Sequence, residues 1–278
     1  MSIKLTYSSF VAQSFIVVAA CVAAPSVAMA QTGGVTAWGS NGFGQCTIPT
    51  SANSGVAAIA GGQYHTIALK DGAVLAWGFN DIGQGTSPAA ANSGVSAIAG
   101  GQYHTIALKG GAVLAWGFND YGQCTIPASA NSGVSAIAGG SNHTIALKGG
   151  VVLAWGDNRG GQCTIPAAAQ WGVSAIAGGG EHTIALKDGA VLAWGYNHYG
   201  QCTIPASANS GVASAIAGGA FHTIAINRDV PSFQAEIAAL TSQNTALTAR
   251  LNCGDLNGDG EVNGADLGRM LISWGLCQ

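Results

Sequence analysis

The sequence predicts an all-β fold: a five-bladed β-propeller, followed by a short coiled-coil helix and a small helical calcium-binding module. The first observation behind this prediction is a period of 39 residues. The second is that each copy contains short apolar runs separated by turn residues. The third is that the segment after the repeats, residues 233–252, contains no Gly or Pro. A fixed period in this range indicates stacked or circular units. The period is clearest in five tryptophans: Trp38, Trp77, Trp116, Trp155 and Trp194.

Residues 1–30 have the order of a secretory signal peptide. Lys4 precedes an apolar run over residues 10–24, and the segment closes on Ala28-Met29-Ala30. Small residues at this position are typical of a cleavage site, so we expect cleavage after Ala30 and a secreted or cell-surface protein. A transmembrane anchor is an alternative, but the run is shorter than the ~20 apolar residues that span a bilayer. Lipid attachment at Cys21 is a further alternative.

The charge balance argues against a nucleic-acid partner. Without Lys4 the chain has 8 Lys and Arg against 12 Asp and Glu, a net charge of −4. A nucleic-acid binder needs a basic surface to neutralise phosphates. Export also implies an oxidising compartment, in which cysteines form disulfides.

Each repeat over residues 31–227 is expected to supply four short strands. The runs "VSAIA", "HTIALK", "VLAWG" and "CTIP" follow one another, and Asp-Gly or Gly-Gly separates the second from the third. Asp-Gly between apolar runs is a strong hairpin signal, because both central residues take positive φ. Proline in the last run favours an outer edge strand. Four-stranded sheets repeated around an axis describe a β-propeller.

The two ends of the repeat region complement each other. Residues 35–49 contain the second half of a repeat, and residues 211–226 contain the first half. Joined together they complete one blade, which predicts five blades in a closed ring. Closure would remove the two free sheet edges that an open array exposes.

The repeated His and Trp are predicted to be structural. His65, Ile67 and Leu69 alternate along one strand and therefore share a face, which favours a buried, hydrogen-bonded histidine. The tryptophans are predicted to pack between blades. The alternative is a ring of metal-binding histidines, but equivalent residues on separate blades lie too far apart for one site. No acid or nucleophile repeats beside the histidine, so an enzyme is not expected.

The pattern Gly-x-x-His-Thr-x-Ala-Leu followed by Trp-Gly-x-Asn-x-x-Gly-Gln resembles the RCC1 repeat, in the compact form of bacterial secreted proteins. The resemblance covers residues 35–226. It implies a β-propeller, and it implies guanine-nucleotide exchange on a small GTPase as one activity known in that family. Export argues against that activity here.

The positions that vary between copies are candidates for a binding face. They lie in the loop before each His and in the loop after each Trp-Gly, which share one side of a meandering sheet. Loops on a rigid scaffold commonly carry function. The equally open alternative is that these aromatics only seal the blades. The candidate residues are Tyr64, Phe79, Tyr103, Phe118, Tyr121, Tyr196, Tyr199 and Phe221.

One cysteine position recurs in four copies, and Gly85 replaces it in another. A position that accepts Gly requires a small residue rather than a sulfur ligand. Equivalent positions on separate blades are expected to exceed the ~7 Å Cα limit for a disulfide. We therefore predict buried free thiols at Cys46, Cys124, Cys163 and Cys202.

Residues 228–251 are predicted to form a short coiled coil. Apolar residues alternate in steps of four and three, with Asn244 at one core position. A polar core residue sets register and oligomeric state, so we predict a homo-oligomer. A single helix docked on the propeller is the alternative. The seam residues are Phe233, Ile237, Leu240, Asn244, Leu247 and Leu251.

Residues 252–278 contain a calcium-loop pattern. The position-6 glycine, Gly260, permits the sharp turn of an EF-hand-type loop. Four of the twelve acids lie in this loop, so a cation is needed to relieve their repulsion. The predicted Ca²⁺ ligands are Asp255, Asn257, Asp259, Glu261 (through its backbone carbonyl), Asn263 and Asp266.

Asp266 followed by "LGRMLISWG" resembles a dockerin type I repeat, present here once. The resemblance implies a cohesin-like partner and a place in assemblies that degrade polysaccharides. Cys253 and Cys277 flank this module, and we expect a disulfide between them to stabilise a unit too small for its own core.

Three functions follow from the sequence. The first is a secreted, non-enzymatic scaffold that binds a protein or a glycan and carries a calcium-binding C-terminus. The second is an accessory component of extracellular polysaccharide degradation. The third is nucleotide exchange on a small GTPase.

Overall fold

The computed structural model of the 278-residue chain describes residues 33–209, 211, 213–227 and 237–244. The chain divides into two units, Met1–Asn227 and Arg228–Gln278, which are described separately. The predicted signal peptide, the calcium loop from Asp255 to Asp266 and the Cys253–Cys277 pair lie outside the described residues. They stay predictions.

The first unit is built from five antiparallel sheets, numbered here in chain order. Sheets 1 to 4 have three strands each, and sheet 5 has two. Their bounds are β1 Val56–Gly61, β2 His65–Lys70 and β3 Ala73–Gly78; β4 Val95–Gly100, β5 His104–Lys109 and β6 Ala112–Gly117; β7 Val134–Gly139, β8 His143–Lys148 and β9 Val151–Gly156; β10 Val173–Gly178, β11 His182–Lys187 and β12 Ala190–Gly195; β13 Ala213–Gly218 and β14 Thr223–Asn227.

The hairpin between the second and third strands forms as the sequence predicts. Asp71 has φ of 51° and Gly72 has φ of 74°. Lys70 pairs directly with Ala73 across this two-residue turn. Both central residues in the left-handed region define a turn whose twist matches the strands it joins. The prediction from Asp-Gly and Gly-Gly is confirmed.

The prediction of a fourth strand in each repeat is wrong. The run that ends in proline forms a turn and then a 3₁₀ helix, because side chains already bind its backbone. The Asn80 Oδ1 accepts the Gly85 N–H at 2.7 Å, and the Asn80 Nδ2 donates to the Thr86 Oγ1 at 3.0 Å. An asparagine that binds its own loop competes with ladder pairing. The 3₁₀ helices are Thr50–Ala52, Ala89–Ala91, Ala128–Ala130, Ala167–Ala169 and Ala206–Ala208.

The first strand of each sheet packs against the first strand of the next. The approach is so close that a Cβ on Gly100 would overlap the carbonyl oxygen of Gly61. Glycine is therefore required there by the neighbouring backbone. The small Ala and Gly residues of these first strands allow neighbouring sheets to approach closely.

The hydrophobic core lies between adjacent sheets. One cluster joins Ile67, Leu69 and Val74 of sheet 1 to Val95 and Ala107 of sheet 2, and Trp116 packs against it. Ile67 and Ala107 are fully buried. Each sheet thus buries its apolar surface only by stacking on a neighbour, as expected for a repeat protein.

Sheet 5 has two strands among the residues that the structure describes. The N-terminal half-repeat contacts sheet 1 instead: Gly33 forms a bridge with Val56, and the Val35 N–H donates to the Ala52 carbonyl at 3.0 Å. The architecture is that of repeated propeller-type sheets. A count of five blades and a closed ring stay predictions.

The second unit contributes one described helix, over residues 237–244. Within it Ile237 and Leu240 are 51% and 59% exposed. The helix agrees with the predicted helical segment, while self-association stays a prediction. No helix in the described part of the chain is long and apolar enough to cross a membrane.

Candidate functional site

A hydrogen-bond relay links each sheet to the next through the repeated histidine. The His65 Nε2 lies 3.1 Å from the Thr105 Oγ1, and that hydroxyl donates to the Gln84 carbonyl at 2.8 Å. Since the hydroxyl proton is already used, the threonine oxygen accepts and the histidine Nε2 carries the proton. The other relays are His104–Thr144, His143–Thr183 and His182–Thr223.

The repeated tryptophan binds the same carbonyl group. The Trp116 Nε1 donates to the Gln84 carbonyl at 3.1 Å, so one oxygen accepts from both Thr105 and Trp116. The same arrangement joins Trp77 to Gln45, Trp155 to Gln123 and Trp194 to Gln162. The predicted structural roles of His and Trp are confirmed. Sequence reasoning missed the glutamine, although Gly-Gln is present in all five copies.

Burial keeps these histidines neutral. It lowers the pKa of His65 to about 4, that of His104 to about 3 and that of His143 to about 4. Desolvation disfavours a charged imidazole, and the neighbouring histidines lower the pKa of His104 further. Among the described residues, no group of His, Cys, Asp or Glu is arranged to hold a metal ion.

The repeated cysteines are free, as predicted, but they are half-buried rather than buried. The Cys124 Sγ lies 3.2 Å from the Phe118 carbonyl oxygen. Burial raises the pKa of Cys124 and of Cys163 to about 12. A thiol held protonated is a poor nucleophile, so these side chains serve packing.

The variable loops of the N-terminal half-repeat and of sheets 1 and 2 bring their aromatic side chains together. Tyr103 lies at the middle of this group, with ring centroids 5.9 Å from Tyr64, 6.1 Å from Phe79 and 6.4 Å from Phe118. Tyr121 continues the group, 5.9 Å from Phe118. We call these residues aromatic group A; it consists of Phe43, Tyr64, Phe79, Tyr103, Phe118 and Tyr121.

A second cluster, aromatic group B, lies at the other end of the array. Tyr199 is 6.3 Å from Tyr196, 5.0 Å from His198 and 5.3 Å from Phe221. No ring contact joins groups A and B within residues 33–227 as described. Sequence reasoning missed Phe43 and His198, although both lie in loops that it had marked as variable.

Arg159 extends group A towards group B. Its guanidinium carbon lies 4.6 Å from the centroid of the Tyr121 ring. Its Nε and an Nη donate to the two carboxylate oxygens of Asp157 at 2.9 and 2.7 Å. These hydrogen bonds hold the pKa of Asp157 below its ordinary value. The bidentate pair fixes the guanidinium over the ring, and sequence reasoning did not single it out.

The opposite, hairpin side of the sheets is built differently. The Lys70 Nζ donates to the Ser51 carbonyl at 2.9 Å and thereby caps a 3₁₀ helix. The equivalent bonds are Lys109 to Ala90, Lys148 to Ser129 and Lys187 to Ala168. Trp171 is 65% exposed there, and the Lys187 Nζ lies 3.1 Å from its ring centroid. The lysines thus lie away from the aromatic loops.

Comparison with known families gives one match. Residues 173–201 match the Regulator of chromosome condensation (RCC1) repeat. These residues contain β10 to β12 together with the loop that follows Trp194. No curated protein sequence matches the chain.

Solved structures with the same kind of fold are similar to the repeat region. Prp20p from Saccharomyces cerevisiae, described for its binding to Gsp1p and histones, matches with a TM-score of 0.51 at 23% identity, over 63% of this chain and 55% of that one. Yeast RCC1 (Prp20) bound by Kap60 matches with a TM-score of 0.52 at 23% identity, over 63% and 54%.

The ectodomain of the Arabidopsis thaliana receptor kinase ACR4 matches with a TM-score of 0.50 at 22% identity, over 68% of this chain and 66% of that one. The chain spans about half the length of the yeast protein. At these identities the similarity establishes fold alone. The chain therefore contains an RCC1-type repeat and has an RCC1-like propeller fold.

Proposed function

We propose that this protein is a non-enzymatic binding scaffold whose variable-loop side binds another protein. One observation carries the proposal: loops from successive sheets place aromatic rings in contact on a single side, and several of those rings are exposed. Phe43 is 49% exposed, Tyr121 39%, Tyr199 66% and Phe221 55%. Clustered exposed aromatics are typical of interaction sites.

Ring geometry favours a protein over a glycan. The neighbouring rings of group A meet at 39–73°, so most rings present edges and gaps rather than one flat platform. Such a surface suits side chains that insert between rings. The structurally similar Prp20p binds proteins, which supports the same class of partner. Glycan binding is the alternative outcome of the test.

The charged residues on the variable-loop side also favour a protein partner. The aromatic loops carry the acids Asp81, Asp120 and Glu181, and Asp157 neutralises the Arg159 guanidinium. The lysines lie on the hairpin side. We therefore expect a partner surface that is neutral or basic, since charge complementarity selects the partner and speeds association.

The case for a non-enzyme rests on the repeated histidines. They are the titratable groups of the relay, and burial keeps them neutral by lowering the pKa values of His65, His104 and His143 to about 3 to 4. A general base needs a pKa near the working pH. A side chain that is buried and fixed in every sheet fits a structural role.

The experiment compares two double variants in one binding screen. Tyr103→Ala with Tyr121→Ala alters group A, while Trp171→Ala with Lys187→Ala alters a pair on the hairpin side that also has one exposed aromatic ring. Both are tested on a glycan array and against the secreted proteins of the producing cells, with bound proteins identified by mass spectrometry. Loss of one defined protein by the first variant alone supports the proposal. Retention by both variants, or binding to glycans only, contradicts it.

Export, calcium binding and self-association are proposed from sequence. The N-terminal sequence of the exported protein tests cleavage after Ala30. Titration calorimetry with Ca²⁺ tests the loop, with Asp255→Asn and Asp259→Asn as the double variant that abolishes binding.

Light scattering tests the coiled coil, since Leu240→Lys would dissociate an oligomer built on that seam. A cohesin-like partner stays an expectation from the dockerin resemblance.

A further inference from the structure

One position in the variable loops carries a large side chain in four copies and none in the loop after β9. In the N-terminal half-repeat this residue is Phe43, whose ring centroid lies 5.0 Å from those of Tyr64 and Phe79. Gly160 therefore leaves open a space that a side chain fills in the other copies. The residues at this position are Phe43, Ile82, Tyr121, Gly160 and Tyr199.

The backbone around Gly160 keeps the arrangement of the other copies. The Tyr196 N–H donates to the Glu181 carbonyl at 2.9 Å. In the first copy the Phe79 N–H donates to the Tyr64 carbonyl in the same way, at 2.8 Å. A Cβ on Gly160 would lie 3.2 Å from the Tyr196 Cβ. We call the space over Gly160, bordered by Glu181 and Tyr196, the notch.

Glu181 gives the notch a negative charge. It replaces the aromatic ring that three of the other four copies carry immediately before the repeated histidine. The side chain is partly buried, and within the described part of the chain its carboxylate makes no hydrogen bond and no ion pair. A carboxylate that is partly removed from water and lacks a partner favours a cationic ligand.

Arg159 is the cation beside the notch, and Asp157 already neutralises it. The Asp157 side chain is 3% exposed and accepts two hydrogen bonds from the guanidinium. These bonds raise the pKa of Arg159 above its ordinary value, and the Glu181 carboxylate adds to that effect. The neighbourhood thus holds one cation and two carboxylates, so one negative charge stays uncompensated.

The Arg159 contacts also show how this protein binds a cation. The guanidinium carbon lies 4.6 Å from the centroid of the Tyr121 ring, while the Asp157 carboxylate binds its N–H groups. A cation that lies over an aromatic face and against a carboxylate gains from both contacts. The notch offers the same two kinds of group, the Glu181 carboxylate and the Tyr196 ring, without a cation from the described residues.

We infer that the notch binds the side chain of a lysine or arginine of the protein partner, an inference that rests on the proposed function. The alkyl part of that side chain takes the space over Gly160, and its cationic head binds the Glu181 carboxylate beside the Tyr196 ring. Long cationic side chains suit such a site, because their methylene groups pack on apolar surface while the charge reaches a polar partner. Glu181 thus selects for positive charge, and Gly160 admits it.

Nuclear magnetic resonance titration of the isotope-labelled full chain tests the site directly. The probes are N-acetyl-lysine amide, N-acetyl-arginine amide and, as a neutral molecule of similar shape, N-acetyl-norleucine amide. We expect the two cationic probes to shift the amide signals of Gly160, Glu181 and Tyr196, with dissociation constants on the order of 1 mM or weaker. The neutral probe should bind at least about threefold more weakly. Equal binding of all three probes, or no shift at these residues, would overturn the inference.

Two carboxylate variants test whether the charge of the notch is the cause. Glu181→Gln keeps the size of the side chain and removes its charge, so the dissociation constant of the lysine probe should rise about threefold to tenfold. Asp188→Asn is the matched control, because it makes the same change of net charge in the same sheet but in the hairpin turn. A similar loss in both variants would mean that only the overall charge of the protein attracts the probe, contrary to the inference.

A third variant closes the notch without changing its charge. Gly160→Tyr introduces the residue that two other copies have at this position, and Gly160 has no positive φ that would strain it. We expect binding of the lysine probe to weaken by at least about tenfold, since the ring takes the place of the alkyl chain. The amide spectrum away from the notch should stay unchanged and thereby confirm the fold. Unaltered affinity would show that the cation binds elsewhere.

The probe titration and the partner screen fail independently of each other. The titration needs no protein partner, so the notch can bind the lysine probe even when the screen finds no protein, which would reject the proposed function alone. Conversely, a protein partner that binds the Glu181→Gln variant as tightly as the original chain would overturn the inference and leave the proposed function standing. An affinity loss of about threefold or more for that partner would support both.

Discussion

The interfaces between sheets and the variable loops are two regions of the same repeat with different roles. At the interfaces, His104, Thr105 and Ile106 are fully buried. The His104 Nε2 binds Thr144 of the next sheet, and the Thr105 hydroxyl binds His65 of the preceding sheet. In the loops, aromatic rings contact chiefly one another and remain partly exposed. The comparison teaches that identical residues assemble the scaffold, while differing residues determine what it displays.

The largest expected effect is a loss of stability at low pH, caused by the buried histidines at the interfaces between sheets. The folded-state pKa values of His65, His104 and His143 lie at about 3 to 4, below the ordinary value of 6.5. Between pH 6.5 and 4 these histidines are therefore protonated in the unfolded chain but remain neutral in the folded chain. The contribution of these histidines to the free energy of unfolding is complete above pH 6.5. It is lost as the pH falls, by up to about 1.4 kcal/mol per pH unit for each histidine. We expect unfolding near pH 4, measured by circular dichroism.

A single substitution tests the cause of this acid sensitivity. His104→Gln keeps a donor for Thr144 but removes one titrating group, so its urea midpoint should fall less steeply between pH 7 and 5. The control is Val151→Thr, at a side chain that is 38% exposed and does not titrate, and it should retain the slope of the original protein. Equal stability at pH 7 and pH 4 would show that the buried imidazoles do not resist protonation.

Removing a core side chain should give the next largest effect. Ile145 is fully buried and packs with Leu147, Val152 and Val173 between sheets 3 and 4. Ile145→Ala leaves a cavity, and we expect a loss of about 2–5 kcal/mol in urea unfolding. Ile82→Ala in a variable loop, where the side chain is 40% exposed, should cost about 0.5 kcal/mol or less. Similar losses for both would remove the distinction between the two regions.

Breaking one relay should have an intermediate effect. Thr144→Val preserves shape but removes the acceptor for the His104 Nε2 at 3.1 Å and the donor to the Gln123 carbonyl at 2.8 Å. We expect a loss of about 1–3 kcal/mol, because a buried imidazole N–H is left unpaired. The exposed Thr164→Val, which loses only the two hydrogen bonds between its hydroxyl and the Asn158 amide, serves as the control. A neutral result for Thr144→Val would mean that packing alone joins the sheets.

Periodicity was sufficient to predict the scaffold. Alternation along "HTIALK" identified the buried face with His65 and Ile67, and Asp71-Gly72 identified the hairpin, because strand periodicity and positive φ are local properties. The fourth strand was predicted wrongly because an apolar run of suitable length does not reveal that Asn80 binds the backbone of the following loop. The decisive contact is between a side chain and a backbone five residues away.

The site was only partly predictable. Alternating strand connections were enough to place Tyr64 and Phe79 on one side, since that rule depends on topology. The gap between groups A and B was overlooked, although it can be read from the loops of sheet 3, which carry Ser141 and Asn142 where sheets 1 and 2 carry Gln and Tyr. The Asp157–Arg159 pair was also missed, since its role arises from the Tyr121 ring of the preceding repeat rather than from its own sequence.

The smallest effect on stability is expected in the loops. Tyr121 contacts Phe118 and the Arg159 guanidinium, and it remains 39% exposed. Partly exposed aromatic and cation–π pairs contribute modestly, so Tyr121→Ala should cost about 1 kcal/mol and lower Tm by about 2–4 °C in calorimetry. Arg159→Lys is the control, because it keeps the charge near the ring but loses the bidentate bond to Asp157. A loss as large as that of Ile145→Ala would instead make Tyr121 part of the scaffold, and the aromatic loops would then seal the sheets rather than display a binding surface.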